Sequence, residues 1–165
     1  MQDIADIQAI EKQYYDGFSC PEANLKQWVE KLSKNFFVAV SDNYVVAFLF
    51  FEYLDEIKAI PFVHEIEHSA NGKYVYVSEV GILDEFTKSD ILQTLFDAMK
   101  RKATSANCEG IVWLTGSKNK HDQLEQSILA GNSFVKKESV QNWEACPNHY
   151  VNDHYIWYLD IRRHT

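Results

Sequence analysis

The sequence predicts an α/β fold of the α+β kind, with a mixed, mostly antiparallel central sheet of about six to seven strands and helices on both faces. Two observations predict it. Segments with helical spacing of apolar residues are interspersed with short runs rich in β-branched and aromatic residues. Most strands follow one another directly, which predicts antiparallel pairing, whereas residues 73–117 have a strand–helix–strand pattern, which predicts one parallel pair. We expect a single domain over residues 1–165, because no linker or repeat interrupts the chain.

The first part of the chain predicts two helices and a hairpin. Isoleucines about one turn apart indicate a helix over residues 3–16, and Pro21 suits the first turn of a second helix. An apolar stripe from Leu25 to Leu32 supports that second helix. The segments that follow are predicted as strands over 36–40 and 44–53, a hairpin connection at 41–43 and a polar connection over 55–71.

The central unit, residues 73–117, is the most informative stretch. A strand is predicted over Tyr74 to Ile82, a turn over 83–89, a helix over Asp90 to Ala103 and a buried strand over Gly110 to Thr115. The first backbone N–H groups of a helix are unpaired and the helix dipole favours negative charge, so this turn can receive an anionic ligand. The remaining elements are predicted as a helix over 121–130 closed by Gly131-Asn132, strands over 134–140 and 155–161, and a loop over 142–154.

Composition excludes several classes of protein. The formal net charge of −8 disfavours a nucleic-acid binder, which usually has a basic face. No apolar run approaches the ~20 residues that span a membrane, and the acidic, amphipathic N-terminus does not have the pattern of a signal peptide. The three cysteines are odd in number and lack metal-like spacing, which favours reduced thiols and a cytoplasmic location.

The order of elements and the central turn resemble the GCN5-related N-acetyltransferase (GNAT) superfamily over nearly the whole chain. Members typically carry Val-x-Pro-Glu-Tyr after a strand, then Arg/Gln-x-x-Gly-x-Gly/Ala before a helix. The counterparts here are residues 82–86 (ILDEF) and 87–92 (TKSDIL). Glu85-Phe86 matches the pattern, whereas Lys88, Asp90 and Leu92 stand at the glycine positions and Thr87 stands at the Arg/Gln position.

The resemblance implies acetyl-CoA as co-substrate and no metal. Backbone groups of Val80, Gly81 and Ile82 would hold the pantetheine and the thioester carbonyl. The pyrophosphate would meet the helix start, formed by Thr87, Lys88, Ser89, Asp90, Ile91 and Leu92. The family's glycines let the backbone approach the phosphates, so side chains here should crowd that approach. Asp90 would repel phosphate, Lys88 would partly offset it, and the backbone N–H groups remain available. An ordinary helix start, capped by Thr87 or Ser89, is the alternative.

Glu79 is the predicted catalytic residue. Many family members place a strand glutamate there that acts as general base, and burial would raise its pKa toward the useful range. Strict alternation predicts that Glu79 shares a face with Val75, Val77 and Gly81. A salt-bridged or edge glutamate is the alternative.

The family's proton-donating tyrosine is missing. Its position is occupied by Leu129, which cannot donate a proton, and Ser133 replaces a nearby family glycine. Ser127, Tyr150 and Tyr155 are the candidate substitutes, and the sequence does not choose among them.

The resemblance also predicts where an acceptor would bind. The expected substrate-binding residues are Tyr14, Phe18, Trp28, His64 and Glu65. The expected acceptor is a small-molecule or protein amine, and a homodimer is one expected assembly, with no nucleic-acid or membrane partner. The alternative for the aromatic residues is ordinary core packing.

Three other functions compete with acetyl transfer. Residues 64–68 (HEIEH) match a zinc-protease pattern, but barely two turns of helix fit there and no third ligand follows. Cys146 with His149 could form a nucleophile pair or part of a metal site, although their spacing is a weak signal. A non-catalytic binding or regulatory protein of the same fold fits the missing glycines and tyrosine.

Overall fold

The structure, a computed structural model, describes residues 2–15, 19–57, 71–116, 121–146, 149–151 and 153–162, without the side chains of residues 2 and 143–151. The helices are α1 (Gln2–Tyr14), α2 (Glu22–Leu32), α3 (Ile91–Ser105) and α4 (Asp122–Gly131). The strands are β1 (Phe36–Ser41), β2 (Tyr44–Leu54), β3 (Tyr74–Ile82), β4 (Gly110–Gly116), β5 (Val135–Val140), β6 (Trp143–Cys146), β7 (His149–Val151) and β8 (His154–Asp160). Short 3-10 turns cover Ser33–Asn35 and Asp84–Phe86.

Six strands form one mixed sheet, in the order β1-β2-β3-β4-β8-β5. Only the β3–β4 pair is parallel, and the other four pairs are antiparallel. The predicted fold class is therefore confirmed, including the parallel pair on either side of α3. The last strand in the sequence, β8, lies between β4 and β5, which makes β5 an edge strand of the sheet.

Two layers of helices cover the sheet. Alternate residues of β2, such as Leu49 and Phe51, pack with α3 and α4 in the largest core cluster. Phe48, on the opposite face, packs with Ile7 and Ile10 of α1 and Leu25 of α2. The apolar stripes predicted for these helices are thus the surfaces that they bury.

A β-bulge at Ser78 changes the faces of β3. Phe50 of β2 pairs with Glu79 and Phe51 pairs with Val77, which leaves Ser78 as the extra residue. Val75 and Val77 lie with Val80 and Ile82 in the core under α3, whereas Gly81 touches Phe48 and Ile10 on the α1 side.

The prediction that Glu79 shares a face with the two valines is therefore wrong. Strict alternation fails because the bulge inserts one residue between Val77 and Glu79. Glu79 faces α1, opposite the core under α3.

Left-handed residues end α3 and α4 and make the first hairpin turn. Asp42 and Asn43 both have positive φ, as a two-residue hairpin requires. At the end of α4 the left-handed residue is Ser133 (φ 62°), one position beyond the predicted Gly131-Asn132 cap. The Phe134 N–H bonds the Leu129 carbonyl and the Ser133 N–H bonds the Ala130 carbonyl, which defines a Schellman motif.

Residues 142–154 differ from the predicted loop. They contain a two-stranded hairpin, β6–β7, in which Trp143 pairs with Val151 and Cys146 with His149. The hairpin was missed because each strand has only three or four residues, too few for a periodic pattern. Within the described ranges, none of the helices combines the length and hydropathy that crossing a lipid bilayer would take.

Candidate active site

The sheet opens between its two parallel strands. β3 and β4 are paired over Tyr74–Val77 and Gly110–Trp113, and the pairing ends there. Beyond that point the second half of β3 pairs with β2 alone and the end of β4 with β8 alone. The opening begins at the bulge of Ser78, so the extra residue and the separation of the strands coincide. A strand edge without a partner offers backbone donors and acceptors to a ligand.

Helix α1 reaches this opening. The Tyr15 hydroxyl donates a hydrogen bond to the Val80 carbonyl at 2.8 Å, so a side chain from the end of α1 occupies one backbone acceptor of β3. Gly81 allows the helix to come this close, because a Cβ there would lie 2.6 Å from the Phe48 ring and 2.7 Å from a methyl group of Ile10. Gly81 is therefore needed for packing between α1 and β3.

Two carboxyl groups meet beside the opening. Glu79 of β3 and Glu11 of α1 offer oxygens within 4.8 Å of one another, together with the Cys20 sulfur. Glu11 is fully buried and its Oε2 accepts the Cys20 backbone N–H at 3.1 Å. Burial raises the pKa of Glu79 well above its ordinary value, and the charge of Glu11 and a hydrogen bond with it act in the same direction. Burial also raises the pKa of Glu11, partly offset by its bond with Glu79 and by the Cys20 N–H.

A second buried acid lies between α1 and α4. The Tyr14 hydroxyl donates to Glu125 Oε1 at 2.9 Å, and the Tyr14 ring stacks on His121 with centroids 4.3 Å apart. His121 Nε2 in turn lies 3.3 Å from Asp84 Oδ1 in the turn before α3. Burial raises the pKa of Glu125 to about 7, although the Tyr14 bond lowers it, so this carboxyl titrates near neutral pH.

The start of α3 is a different kind of surface. Its N-cap is Asp90, which makes no side-chain capping bond, and the Ser89 Oγ accepts the Ile91 N–H at 3.4 Å. The Thr87 and Ser89 hydroxyls donate to carbonyls of the preceding 3-10 turn, those of Asp84 and Phe86. Within the described residues, no backbone acceptor receives the N–H groups of Lys88, Asp90, Leu92 and Gln93. These donors remain available to an anion.

The predicted substrate-binding residues divide into two groups. Trp28 stacks on Phe50, the β2 residue opposite Glu79, with ring centroids 5.9 Å apart, so it lies on the Glu79 side of the sheet. Tyr14 is fully buried and bound to Glu125. Phe18, His64 and Glu65 lie outside the described residues, as does the whole HEIEH segment.

Leu129, which stands at the position of the family's usual tyrosine, lies in the hydrophobic core. Leu129 is 1% exposed and packs in the same cluster as Tyr14. Ser127 is exposed on α4 and Tyr155 packs under the Lys136 ammonium, 3.2 Å from the ring centroid. The side chains of Tyr150, Cys146 and His149 lie outside the description. None of the predicted substitutes is placed at the opening by a described contact.

Sequence reasoning missed Glu11, Glu125 and His121. A signal for the first two was present: Glu11 lies four residues after Ile7 and three before Tyr14, and Glu125 lies four before Leu129. An acidic residue on the apolar stripe of a helix predicts a buried carboxyl. His121 precedes α4 and has no comparable signal.

Cys20 is disulfide-bonded and Cys108 is a free, buried thiol. The expectation of three reduced cysteines is therefore wrong at Cys20, a pairing that spacing in the sequence does not reveal. Disulfides persist mainly in oxidising compartments, so the cytoplasmic location stays a prediction. In the described part of the chain, the only group of side chains that could hold a metal ion consists of Glu11, Cys20 and Glu79. Because the Cys20 sulfur is in a disulfide, only the two carboxyl groups remain as possible ligands.

Comparison with solved structures defines the class: the chain has the GNAT fold. The loading GNATL domain of CurA from Lyngbya majuscula superposes with a TM-score of 0.77 at 13% identity, over 98% of this chain and 94% of that one. The GphF GNAT-like decarboxylase in complex with isobutyryl-CoA gives 0.78 at 11% identity, over 96% and 94%. The NatC complex bound to Gag peptide and CoA gives 0.68 at 11% identity, over 97% and 91%.

At these identities the likeness establishes the fold and leaves the reaction open. The three neighbours themselves differ, since one is described as a decarboxylase and another is bound to a peptide and CoA. No protein-family model matches the sequence, and no curated protein is significantly similar to it. The reaction must therefore be argued from the residues at the opening.

Proposed function

We propose that the protein is an N-acetyltransferase that moves an acetyl group from acetyl-CoA to a primary amine. One observation carries the proposal: a carboxyl with raised proton affinity, Glu79, lies on the stretch of β3 that has no β4 partner. Neighbours of the same fold are in complex with CoA or isobutyryl-CoA, which supports a CoA ligand at such an opening.

The pantetheine is proposed to bind along the part of β3 that has no β4 partner. An extended chain with amide groups can bond to the backbone of Val80, Gly81 and Ile82 as an added strand would. The Val80 carbonyl now accepts the Tyr15 hydroxyl, so a ligand amide would replace that bond. The thioester would then lie beside Glu79.

The pyrophosphate is proposed to bind at the start of α3, from Thr87 to Leu92. Four backbone N–H groups there have no described acceptor, and Lys88 is exposed and cationic. The Asp90 carboxylate opposes phosphate, so we expect weaker binding than a glycine-containing turn would give.

Glu79 is proposed as the general base. An amine attacks a thioester only after it has lost a proton, and burial raises the pKa of the Glu79 carboxyl well above its ordinary value, which makes it a better proton acceptor. Trp28 lies on the same side of the sheet, where it would contact the acceptor. The negative charge of the chain favours a cationic acceptor, such as a polyamine or a protein amine.

The Tyr14–Glu125 pair is proposed to return a proton to the CoA thiolate. It brings a phenol to α4 one turn before Leu129, where the family usually places its tyrosine. A carboxyl with a pKa of about 7 can protonate a thiolate, whose pKa is ordinarily near 8.5, through the Tyr14 hydroxyl. Burial, and then the charge of the neighbouring Glu125, keep the pKa of Tyr14 well above its ordinary value, so the phenol stays protonated between turnovers.

Thiol release from acetyl-CoA with a panel of polyamines and peptide amines tests the proposal. We expect turnover with at least one amine, and a loss of about 10²–10⁴-fold in kcat for Glu79→Gln. Glu138→Gln, the same change at an exposed position of β5, is the control and should keep its rate. An unchanged rate in Glu79→Gln rejects the base assignment.

A non-catalytic GNAT-fold binding protein is the second candidate, favoured by Lys88, Asp90 and Leu92 at the glycine positions and by buried Leu129. Calorimetry with CoA and acetyl-CoA separates the two. Saturable acetyl-CoA binding supports the enzyme, whereas no heat at millimolar ligand leaves only the second candidate.

A further inference from the structure

Glu11, which is buried, and Glu79, which is half-buried, form a pair of acids contributed by different elements. Glu11 lies on α1 with no exposed surface, and Glu79 lies on β3 beside the opening of the sheet. Their nearest carboxylate oxygens are within 4.8 Å. Gly81 allows the two elements to approach closely, because a Cβ at this position would collide with the Ile10 side chain.

Among the residues that the structure describes, no cation is paired with either of these carboxyl groups. Glu11 Oε2 accepts the Cys20 N–H, whereas Glu11 Oε1 is buried and, among the described residues, has no hydrogen-bond partner other than the Glu79 carboxyl. A buried carboxylate without a partner is costly, and repulsion between two carboxylates this close disfavours the ionisation of both.

The other titratable groups around the pair do not change its balance of charge. Lys12, next in the chain, attracts Glu11 only weakly, and it is exposed. Tyr15 of α1 and Tyr76 of β3 are buried phenols whose pKa values lie well above the ordinary value, so they are neutral.

Two further acids surround the pair. Glu52 on β2 accepts the Ser78 hydroxyl at 2.6 Å, and Glu125 on α4 contributes to the raised pKa of Tyr15. The surroundings are thus neutral or acidic, which favours a retained proton.

We propose that Glu11 and Glu79 hold one proton between them, and that Glu11 thereby sets the pH at which Glu79 can accept a proton from the acceptor amine. The second part rests on the proposed function. Glu11 is then a positioning residue, because Glu79 lies between it and the opening and Glu11 acts only through Glu79. Its Cys20 N–H bond fixes one oxygen, which leaves Oε1 as the atom that faces the shared proton.

The proton count balances over one turnover. The acceptor enters as a neutral amine after its ammonium form has released a proton to solvent. Its nitrogen bonds to the thioester carbon and the carbon–sulfur bond breaks. Glu79 accepts one proton from the nitrogen after the shared proton has left to solvent, so the pair ends with the single proton with which it began. The thiolate takes its proton from Glu125 through the Tyr14 hydroxyl, and Glu125 is reprotonated from solvent.

Carbon-13 NMR of the glutamate carboxyl groups in the full-length free protein tests the pair without requiring turnover. We expect one of the two carboxyls to stay protonated at pH 6 in the wild type. In Glu11→Gln the midpoint of Glu79 should fall by about one pH unit, because the neighbouring negative charge is gone. Asp3→Asn, which removes a charge from the exposed side of α1, should leave the midpoint unchanged.

Two results would overturn the proposal: both carboxyls titrating near pH 4.5 in the wild type, or the same Glu79 midpoint in Glu11→Gln. Should Glu11→Gln not fold, Glu11→Asp, which withdraws the charge by one methylene, must lower the midpoint by a smaller amount. Where turnover is measurable, the acidic limb of the kcat/KM profile should move to lower pH in Glu11→Gln. A normal midpoint shift without any turnover would reject the proposed function and keep the pair.

Discussion

The two halves of the central unit differ in how they would hold the proposed CoA ligand. The strand half, β3 with α1, is buried, contains the bulge at Ser78 and brings Glu79 to Glu11. In the helix half, residues 87–92, Lys88, Ser89 and Asp90 are exposed, and the N-cap Asp90 makes no side-chain capping bond. The strand half depends on close packing that few sequences allow, whereas the helix half depends on backbone N–H groups that any sequence supplies.

The glycine positions explain this difference. Lys88, Asp90 and Leu92 are not among the residues with positive φ, so the turn adopts its conformation without glycine. Glycine there would serve only the approach of a phosphate. At Ser133 the reverse holds, because φ is 62° and an L-residue pays a conformational cost. Replacing a family glycine thus alters ligand access at one site and backbone energy at the other.

The largest expected effect tests Glu125, the buried acid of α4 that accepts a hydrogen bond from Tyr14 of α1. Glu125 is 3% exposed and its native pKa of about 7 exceeds the ordinary 4.5, so the folded state binds its proton more tightly. The stability that this proton contributes is present below about pH 4.5 and is lost as the pH rises to about 7. At about 1.4 kcal/mol per pH unit, the loss is about 3 kcal/mol.

Glu125→Gln keeps an acceptor for the Tyr14 hydroxyl and removes this titration. Urea unfolding should therefore show the variant gaining about 3 kcal/mol relative to wild type between pH 4.5 and pH 7.5. An equal pH slope in the two proteins would show that Glu125 titrates normally, and the contrast with the exposed helix half would weaken.

Gly81→Ala tests the packing of α1 on β3. The added methyl group would meet the Phe48 ring and Ile10, so we expect a loss of about 1–3 kcal/mol in the free energy of unfolding. Gly131→Ala is the matched control, because no atom lies within 4 Å of its added Cβ and a helical alanine is neutral or stabilising. Equal stability of the two variants would contradict the close approach of α1.

Asp90→Asn tests the helix half. Removing the carboxylate should lower the Kd for acetyl-CoA about fivefold, which corresponds to about 1 kcal/mol for one exposed charge. Asp97→Asn, two turns along α3, is the control, and calorimetry measures both. If the Kd does not change, the pyrophosphate does not lie at this turn.

Ser133→Gly has the smallest expected effect. Glycine adopts the left-handed conformation without the Cβ penalty, so the variant should be more stable by about 0.5–1 kcal/mol in thermal or urea unfolding. Lower stability would mean that the Ser133 side chain contributes more than its backbone costs.

The sequence predicted the fold better than the site. Periodicity located α1 to α4, and runs of β-branched and aromatic residues located the strands of the sheet, of which β2 and β4 are buried on both faces. Periodicity failed at Ser78, since a bulge is defined by two residues opposing one on a partner strand and leaves no local signal. Glu79 was identified by its place in the family pattern, whereas Glu11 depends on how α1 crosses β3, a contact between residues 68 positions apart.

Backbone amide shifts on addition of acetyl-CoA test the central claim most directly. The account predicts large ¹H–¹⁵N perturbations in two stretches only, Ser78 to Ile82 and Lys88 to Gln93, with Tyr15 shifting as its bond to Val80 is replaced. Two results would contradict a CoA site at the opening between β3 and β4. In the first, acetyl-CoA saturates the protein without changing the amide shifts of Ser78 to Ile82. In the second, the shift changes are confined to other parts of the sheet.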